Sequence, residues 1–507
     1  MKRILLFGAG KSATVLIDYL IENAGRENWQ VVVVDSDLQL AKSKTGDSYF
    51  AEAISFDIQD ANEREKQIKQ ADIVISLLPP ALHFIVAQDC VKFSKNLLTA
   101  SYLDDKIRNL QSEIENKKLF FISELGLDPG IDHMSAMKMI DEIHEQHGEI
   151  ISFMSHCGGL VAPESDDNPW RYKLSWNPRS VVLAGKSGAH YKEKGEEIRL
   201  NYEDIFNTDR MVDIPELGAL SWYPNRDSLS YSTLYQLESA ETFVRTTLRY
   251  RDFMYGWKNV VDLKLTDETK QYETDGKTLY QVFKDHMDKN GFGEWLEKKL
   301  KERFAQTKEM LDSLVKLVEA ENEAKVEDVD LPQEFMAVTQ SGDLQEMELD
   351  DIKNQAASYL AHKMHEANLT LKQLFYLGID DQKTFINKGF CSPADVLQFA
   401  MEKKLSLRDG EKDMIVMLHE IEYKIPASAA GNLSKVMGIK SSLIVEGQDH
   451  VRTAMAKTVG LPLGIAAKLI LNGTIKLTGL HIPVKKEIYE PVLKELAEHK
   501  IVFREFQ

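Results

Sequence analysis

Cysteine is scarce in this sequence, which limits the kinds of site that the chain can build. Its 507 residues include three cysteines, Cys90, Cys157 and Cys391, which lie far apart and form no Cys-x-x-Cys pair. Disulfide frameworks and zinc sites require several cysteines at short, recurring spacings. We therefore expect reduced thiols and no metal site.

Long apolar runs and positive net charge are also lacking. Four apolar residues separate Met1-Lys2-Arg3 from Gly8, too few for a signal peptide, and no apolar stretch reaches the roughly 18 residues of a membrane span. The formal net charge of −18 argues against nucleic acids and anionic membranes as partners, because phosphate binding draws on positive surface. These features predict a cytoplasmic protein with no nucleic-acid or membrane partner.

The chain has the length of a protein with more than one domain. A single core stops growing at about 250–300 residues, so 507 residues predict two or three domains. The hydrophobic fraction of 43% and the charged fraction of 28% are typical of a globular protein.

The amino-terminal segment carries the strongest local motif. The apolar run at residues 4–7 leads into Gly-Ala-Gly-Lys-Ser-Ala at residues 8–13, and residues with helical periodicity follow. Gly8 permits a tight turn, Gly10 lets the backbone approach a pyrophosphate, and the small Ala13 lets the helix pack on the strand. The free N–H groups at the start of such a helix bind phosphate. The motif predicts a strand, turn and helix that bind a dinucleotide cofactor.

The second apolar run ends in an acid that bears on the choice of cofactor. Residues 31–34 are all valine and precede Asp35. A carboxylate at this position can accept hydrogen bonds from the hydroxyls of an adenosine ribose, and it would repel a 2′-phosphate. Asp35 therefore predicts NAD. Lys42 and Lys44 follow within two or three helical turns and leave NADP open as the alternative.

Apolar runs alternate with helical segments over the rest of the first 125 residues. Runs at residues 71–78, 96–102 and 119–123 have the continuous apolar character of strands that are buried on both faces. This rhythm predicts an α/β fold of the Rossmann type, a doubly wound parallel sheet whose ligand lies beyond the carboxyl ends of the strands. The residues expected to face that crevice are Gly8, Asp35, Leu78, Pro79, Ser101, Tyr102 and Glu124.

The pattern changes twice after the parallel sheet. Residues 150–264 form shorter runs rich in Gly, Ser, Asn, Trp and Tyr, which are typical of a mixed sheet with functional loops. Helical periodicity then dominates until strand-like alternation resumes at Asp413. We predict a dinucleotide-binding domain at 1–125, a mixed-sheet α+β substrate and dimerisation domain at 126–265 and 410–507, and an inserted all-α domain at 266–409.

Several long motifs make the sequence resemble a known family. They lie in order along nearly the whole chain and comprise residues 124–133, 155–164, 167–169, 173–179, 223–228, 246–250 and 454–462. In these segments the chain resembles the saccharopine dehydrogenase family, L-glutamate-forming branch. The motifs are long and chemically unusual, and are therefore far more specific than the glycine turn.

The resemblance implies a homodimeric enzyme of lysine metabolism. The implied reaction oxidises saccharopine with NAD(P) and releases L-glutamate and 2-aminoadipate 6-semialdehyde. Hydride leaves the carbon beside the bridging nitrogen, an imine forms, and water hydrolyses it. The bridging amine must be neutral before hydride can leave, so a proton acceptor or the substrate's own charges must remove its proton.

The resemblance and the residue types together suggest how the three carboxylates of saccharopine are bound. Arginine grips carboxylates in a bidentate fashion, and hydroxyl groups add hydrogen bonds. Arg226 has the alternative of a surface ion pair with Asp227, and Arg249 that of a structural role for its forked guanidinium. The predicted substrate-binding residues are Ser101, Tyr102, Asp128, Arg226, Thr246, Thr247 and Arg249.

Three residues are candidates for proton transfer. Asp128 has two compatible interpretations, the N-cap of a helix that Pro129 opens and a carboxylate near the bridging amine. Tyr102 is a candidate acid or base if its pKa is lowered, with stacking as the alternative. Cys157 is a further candidate, with a small buried strand residue as the alternative. The catalytic candidates are thus Asp128, Tyr102 and Cys157, and we assign no catalytic role to His133 or His156.

The cofactor site combines the glycine turn with positions that the resemblance supplies. Some fungal members of the family prefer NADP and carry a basic residue where this chain has Asp35, which again favours NAD here. The predicted cofactor-binding residues are Gly8, Gly10, Lys11, Ser12, Ala13, Asp35, Leu77, Leu78, Pro79, Leu127, Asp128, Gly130, Ile131 and Trp176.

Two other functions compete with this interpretation. An enzyme of the carboxynorspermidine or homospermidine type also joins an amine to an aldehyde reductively, but such chains generally lack an insertion like residues 265–409. A non-catalytic NAD-binding regulator could retain the glycine turn and Asp35 while losing the substrate arginines. This chain retains Arg226 and Arg249.

Overall fold

The computed structural model describes residues 1–206, 209–299, 301, 334–338, 344–348, 368–425 and 435–506. The chain forms two compact units. The first comprises Met1–Asp167, Arg171–Met254 and Leu405–Gln507, and the second comprises Asn168–Trp170 and Tyr255–Lys404.

A seven-stranded parallel sheet forms the amino-terminal part of the first unit. On the inner strand Lys2–Phe7, Ile4 and Leu6 belong to one buried core while Leu5 and Phe7 belong to another, so the sheet is covered on both faces. This confirms the predicted doubly wound fold. The strands lie in the order Gly479–His481, Phe120–Ile122, Asn96–Thr99, Ile73–Ser76, Lys2–Phe7, Trp29–Asp35 and Ala51–Ser55. The associated helices are Thr14–Glu27, Leu38–Thr45, Ala61–Gln70, His83–Lys92, Asp105–Arg108 and Gln111–Asn116.

A second, mixed sheet of ten strands completes the core of the first unit. Its middle strand, Glu149–Val161, pairs in parallel with Thr242–Arg249 on one side and antiparallel with Asp413–Ile425 on the other. The main path runs through Met211–Ile214, Gly218–Pro224, Thr242–Arg249, Glu149–Val161, Asp413–Ile425, Lys435–Glu446 and Arg504–Phe506. The shorter strands beside it are Ala189–Glu193, Glu196–Leu200 and Arg226–Asp227. The helices Ile131–Glu145, Pro178–Val182, Tyr202–Ile205 and Lys486–Glu498 also lie in this unit.

One long helix of this unit corrects an expectation from the sequence. Ala454–Leu471 is, among the described residues, long and apolar enough by length and mean hydropathy to cross a membrane, although no such stretch was expected. Lys457 and Lys468 interrupt the run of apolar residues, but the mean hydropathy of the helix stays within the range of a membrane span. The helix is 72% buried and packs on Thr14–Glu27, where a Cβ on Gly464 would lie 2.5 Å from the Tyr19 ring. It is therefore a core helix of the fold.

The second unit is helical in its described part and also contains short strand pairs. Leu279–Lys289 and Pro393–Lys404 are helices, and Arg251–Asp262 spans the boundary between the units. Tyr272–Glu273 pairs with Phe390–Cys391, and Glu334–Val338 pairs with Leu344–Glu348. The insertion is thus not purely α-helical, and its compact core begins about ten residues before the predicted boundary at 266. The helical periodicity expected at 302–319 and 359–365 lies outside the described residues, and the domain limits stay predictions.

Candidate active site

The glycine turn and the acid of the second strand are directly connected. The N–H of Ala9 donates to Asp35 Oδ2 at 2.8 Å, and the N–H of Asp37 donates to Oδ1 at 3.0 Å. Gly8 has φ +100°, and a Cβ there would lie 2.8 Å from the Leu77 carbonyl oxygen, so glycine is required. A Cβ on Gly10 would meet no protein atom within 4 Å. The protein itself therefore does not explain glycine at this position, whereas close approach of a pyrophosphate does.

The start of the following helix is open to an anion. Lys11–Ala13 form a 3₁₀ turn that no described side chain caps, and the turn leads into Thr14–Glu27. Backbone N–H groups and the positive end of the helix dipole favour phosphate at such a terminus. The Gly8 to Ala13 segment and Asp35 thus fit the pyrophosphate and ribose of a dinucleotide.

The two lysines that could favour NADP differ in their surroundings. Lys44 Nζ donates to Thr14 Oγ1 at 2.6 Å, and burial lowers the pKa of Lys44. Lys42 is exposed. Asp37 caps the helix Leu38–Thr45 by accepting the N–H groups of the residues two and three positions on, at 2.9 and 3.2 Å. At the end of the second strand, backbone N–H groups thus hold the carboxylates of Asp35 and Asp37 in place.

The remaining predicted cofactor residues differ in their contacts and burial. The N–H of Leu77 donates to the Phe7 carbonyl oxygen at 2.8 Å. Gly130 has φ +149°, and a Cβ there would lie 2.1 Å from the Gly126 oxygen, so the turn itself requires glycine. Lys11 Nζ lies 3.4 Å from the carbonyl oxygen of Leu174. The others are Leu78 and Ser12, which are half-buried, Pro79, which is exposed, Leu127 and Ile131, which are buried, and Trp176, which donates to Tyr172.

A buried histidine fixes the hydroxyl of Ser101. His83 Nδ1 lies 2.8 Å from Ser76 Oγ, and His83 Nε2 lies 2.7 Å from Ser101 Oγ. Burial lowers the pKa of His83 to about 4, so the imidazole is neutral and can donate one hydrogen bond and accept the other. Ser101 is therefore held at the carboxyl end of its strand. This role of His83 was not predicted from the sequence.

Arg226 and Tyr102 lie together at the crevice. The Arg226 guanidinium lies 4.9 Å from the centre of the Tyr102 ring, in a cation–π contact. Asp227 pairs with His190 at 3.2 Å, and Arg226 forms no ion pair with any described residue. The alternative of an Arg226–Asp227 pair is therefore not observed, and the exposed guanidinium is available to an anion. Burial raises the pKa of Tyr102, so its phenol stays protonated.

An Asp–Arg–Asp cluster occupies the centre of the site. Arg245 Nη2 lies 2.6 Å from Asp128 Oδ1 and 2.6 Å from Asp132 Oδ2. Burial raises the pKa of Asp128 to about 6; Arg245 opposes this increase and Asp132 adds to it. Burial also opposes the charge of Asp132, but His133, Arg245 and the N–H of Gly130 together hold the pKa of Asp132 below its usual range.

The predicted helix cap at Asp128 is wrong. The helix begins at Ile131 with Gly130 at the N-cap position, and the Asp128–Pro129 peptide bond is cis. Pro129 therefore does not open the helix. Asp132 accepts the Gly130 N–H at 2.6 Å, while Asp128 binds Arg245. The carboxylate interpretation of Asp128 does not depend on the cap and is unaffected.

Glu124 connects this cluster to the loop that carries Tyr102. Its carboxylate accepts the Leu103 N–H at 3.0 Å and the Tyr231 hydroxyl at 3.0 Å, and it lies 2.9 Å from His133 Nε2. Glu124 is buried and has φ +59°, a conformation that L-residues rarely adopt. Burial opposes its charge, but His133 and the other donors lower its pKa. Glu124 was expected to face the crevice, whereas this bracing role was not foreseen.

Strand alternation separates the predicted residues of Thr242–Arg249. Thr246 Oγ1 lies 2.7 Å from His156 Nδ1, on the strand face opposite Arg245, Thr247 and Arg249. Its hydroxyl is thus paired with His156 on the face away from Asp128, and its role as a substrate contact stays a prediction. Thr247 is half-buried on the side of Asp128. His156 receives a structural explanation from this contact and from Glu420 at 3.2 Å.

Cys157 and Arg249 lie near the Asp128–Arg245–Asp132 cluster. Burial, reinforced by Asp128 and Asp132, raises the pKa of Cys157 well above its usual value, so its thiol stays protonated. Arg249 is buried and donates from Nη1 to the carbonyl oxygens of Leu248 at 2.8 Å and Gly159 at 3.4 Å, as the structural alternative predicts. Its Nε has no partner among the described residues, and no described carboxylate pairs with it. Among the three catalytic candidates, Asp128 is the group with a pKa suited to accepting a proton near neutral pH.

The fold and this site define an NAD(P)-dependent oxidoreductase. Residues 4–122 match the saccharopine dehydrogenase NADP binding domain, and residues 126–502 match the saccharopine dehydrogenase C-terminal domain. The chain belongs to the saccharopine dehydrogenase family.

Individual relatives differ in how much of their own length the chain covers. The alpha-aminoadipic semialdehyde synthase of Arabidopsis thaliana is 31% identical over 99% of this chain, which covers 44% of that protein. The saccharopine dehydrogenase [NADP(+), L-glutamate-forming] of Saccharomyces cerevisiae is 30% identical over 98% of this chain and 97% of its own length. The chain thus spans less than half of the plant relative and nearly all of the yeast one.

Solved structures agree with the fold. Apo saccharopine dehydrogenase (L-Glu forming) from Saccharomyces cerevisiae has a TM-score of 0.75 and 28% identity, covering 100% of this chain and 99% of the yeast chain. A homospermidine synthase from Legionella pneumophila, solved with NAD, has a TM-score of 0.50 and 9% identity over 100% of this chain and 91% of that chain. The latter likeness concerns the fold alone.

Proposed function

We propose that this protein interconverts saccharopine with L-glutamate and 2-aminoadipate 6-semialdehyde, using NAD(P). The observation that carries the proposal is the arrangement around Tyr102. An exposed, unpaired Arg226 covers one side of its ring, and the charge of Asp128 also acts on its phenol. A receptor for a carboxylate and a carboxylate that can accept the proton of an amine therefore lie on the same tyrosine, as a substrate with both groups requires.

In this reaction the site residues bind the substrate and accept its proton. A bound dinucleotide supplies the hydride acceptor. Arg226 binds a substrate carboxylate, and Ser101, held by His83, donates or accepts a hydrogen bond beside it. Asp128 accepts the proton of the cationic bridging amine, which leaves the neutral nitrogen whose lone pair drives the departure of hydride from the adjacent carbon. Water then adds to the resulting imine carbon, and breakage of the carbon–nitrogen bond releases the amino acid.

We further propose that NAD is preferred over NADP. The Saccharomyces cerevisiae relative is described as NADP(+)-dependent, but the second strand of this chain ends in Asp35, whose carboxylate is anchored by two backbone N–H groups. The Lys44 ammonium group, which could favour NADP, is hydrogen-bonded to the Thr14 hydroxyl. A 2′-phosphate would therefore face the Asp35 charge near the end of the strand.

The direct test is a turnover assay with the purified protein. Saccharopine and either NAD or NADP are mixed with the enzyme while the absorbance of the reduced cofactor is followed, and the products are identified by mass spectrometry. We expect glutamate and the semialdehyde in equal amounts, with a higher kcat/KM for NAD. A diamine without carboxylates serves as the control substrate. Turnover of the diamine but not of saccharopine would refute the proposal in favour of a homospermidine-type reaction.

Assembly and location are also proposals that follow from the family resemblance and the sequence. We propose a homodimer, which light scattering at assay concentrations tests directly. A monomeric active enzyme would contradict it. We propose a cytoplasmic location, which fractionation of the source cells tests.

A further inference from the structure

Arg245 is the most constrained charge in the described part of the site. Its side chain is 4% exposed, and it contacts the Asp128 and Asp132 side chains, which are 14% and 2% exposed. Its guanidinium also lies 4.5 Å from the centre of the Tyr231 ring, and its backbone N–H donates to Ser228 Oγ at 3.0 Å. Arg245 is thus held by its backbone N–H, by the Tyr231 ring and by two carboxylates.

The two carboxylates are not equivalent. Both bind the same nitrogen, Nη2, which carries two N–H groups and can donate one to each carboxylate. Asp132 has a second donor in the N–H of Gly130 at 2.6 Å. Among the described residues, Asp128 has Arg245 as its cationic partner and is the more exposed of the two carboxylates. Oδ1 of Asp128 is therefore tied to Arg245, and Asp128 is the carboxylate of the pair that is more open to a ligand.

From this geometry we propose that Arg245 is a positioning residue, which orients the Asp128 carboxylate toward the bridging amine of the substrate and keeps that carboxylate ionised. The inference rests on the proposed function, because it gives Asp128 the role of proton acceptor. Arg245 itself does not transfer a proton. Asp132 acts in the opposite sense, since its like charge makes ionisation of Asp128 harder.

Other groups facing the cluster set the background for any change in pH dependence. Those that interact with Arg245, Asp128 or Asp132 from the neighbouring elements are Tyr102, His133, Tyr235, Cys157, His419 and Tyr231. Arg226, Arg249 and Glu124 act in turn on Tyr102, Cys157 and Tyr231. Substitutions at Arg245 and Asp132 leave all of these side chains in the chain. A shift with opposite signs in the two variants is therefore assigned to Asp128 itself.

The test is the pH profile of kcat/KM for saccharopine, measured on full-length enzyme with saturating dinucleotide. Arg245→Gln removes the stabilising cation, and we expect the acid limb to move to higher pH by at least about one unit, which lowers kcat/KM about tenfold on that limb. Asp132→Asn removes the like charge and should move the same limb to lower pH. The double variant should return the limb toward its original position. Any limb caused by the substrate's own amine is common to all variants.

Matched controls separate positioning from folding. Arg245→Lys retains a cation and should keep the limb closer to the original position than Arg245→Gln does. Dinucleotide affinity, measured by quenching of tryptophan fluorescence, should stay within about twofold in each variant. The inference is overturned if activity falls without movement of the limb, or if Asp132→Asn and Arg245→Gln move it in the same direction. Wild-type enzyme that does not turn over saccharopine refutes the proposed function, and the inference falls with it, whereas an active wild type with unmoved limbs in the variants refutes only the role of Arg245.

Discussion

Replacement of Asp35 by serine tests the cofactor assignment most directly. The wild-type carboxylate is held by the N–H groups of Ala9 and Asp37 and, when NAD is bound, would accept hydrogen bonds from the ribose hydroxyls. Loss of a hydrogen bond to a charged group costs about 1.5–3 kcal/mol. At 1.36 kcal/mol for each factor of ten, the KM for NAD should rise about ten- to a hundredfold. The KM for NADP should fall, because the repulsion of its 2′-phosphate is removed.

The assay compares KM for both cofactors at fixed, saturating saccharopine. Asp37→Ser is the matched control, because it removes the same charge two residues away while serine can still cap the helix Leu38–Thr45. This control should leave the ratio of the two KM values nearly unchanged. If the wild-type enzyme already prefers NADP, or if Asp35→Ser leaves the KM for NAD where it was, the interpretation of Asp35 is wrong.

Three further predictions concern the substrate, the proton and the fold. Arg226→Ala should raise the KM for saccharopine about tenfold or more and leave dinucleotide affinity unchanged in a fluorescence titration, because water does not replace a bidentate carboxylate contact; an unchanged KM would remove Arg226 from the substrate site. Asp128→Asn should lower kcat by roughly 10²–10⁴. Because Asp128 must be ionised to accept a proton, wild-type activity should fall as the pH drops through about 6. The pH profile of the variant should lack this acid limb. Gly464→Val should destabilise the protein by about 1–3 kcal/mol in urea unfolding, since its Cβ would lie 2.5 Å from Tyr19; Gly438→Val, where a Cβ meets no atom within 4 Å, is the control, and equal stability of the two variants would contradict the packing argument.

Much of the fold was predictable because its signals are local. The parallel strands are continuous apolar runs, and the glycine turn and Asp35 follow each other at a short, regular spacing. The structure joins them through the hydrogen bond between Ala9 and Asp35. The mixed sheet was predictable as a class from its short runs, but its order was not, because residues 149–161 and 413–425 pair across more than 250 positions of sequence.

The centre of the site was only partly predictable. Asp128 was singled out by its motif, whereas Arg245 lies one residue before the quoted segment 246–250 and was missed. A usable signal was present: Arg245, Thr247 and Arg249 recur every second residue, which places them on one face of a strand. Reading that period would also have placed Thr246 on the other face. Sequence motifs mark which segments matter, while the period within a strand decides which side chains reach the site.

Burial explains why residue type alone could not assign the proton acceptor. Tyrosine, cysteine and aspartate were all candidates, and the same buried environment raises the pKa of each of them. For Tyr102 and Cys157, whose ordinary pKa values are already high, this increase keeps the proton in place near neutral pH. For Asp128 the increase brings the pKa up to about 6, close to the range in which a base works efficiently. The buried cluster thus distinguishes Asp128 from the other two, and Arg245 keeps its pKa from rising so far that the carboxylate would itself hold the proton.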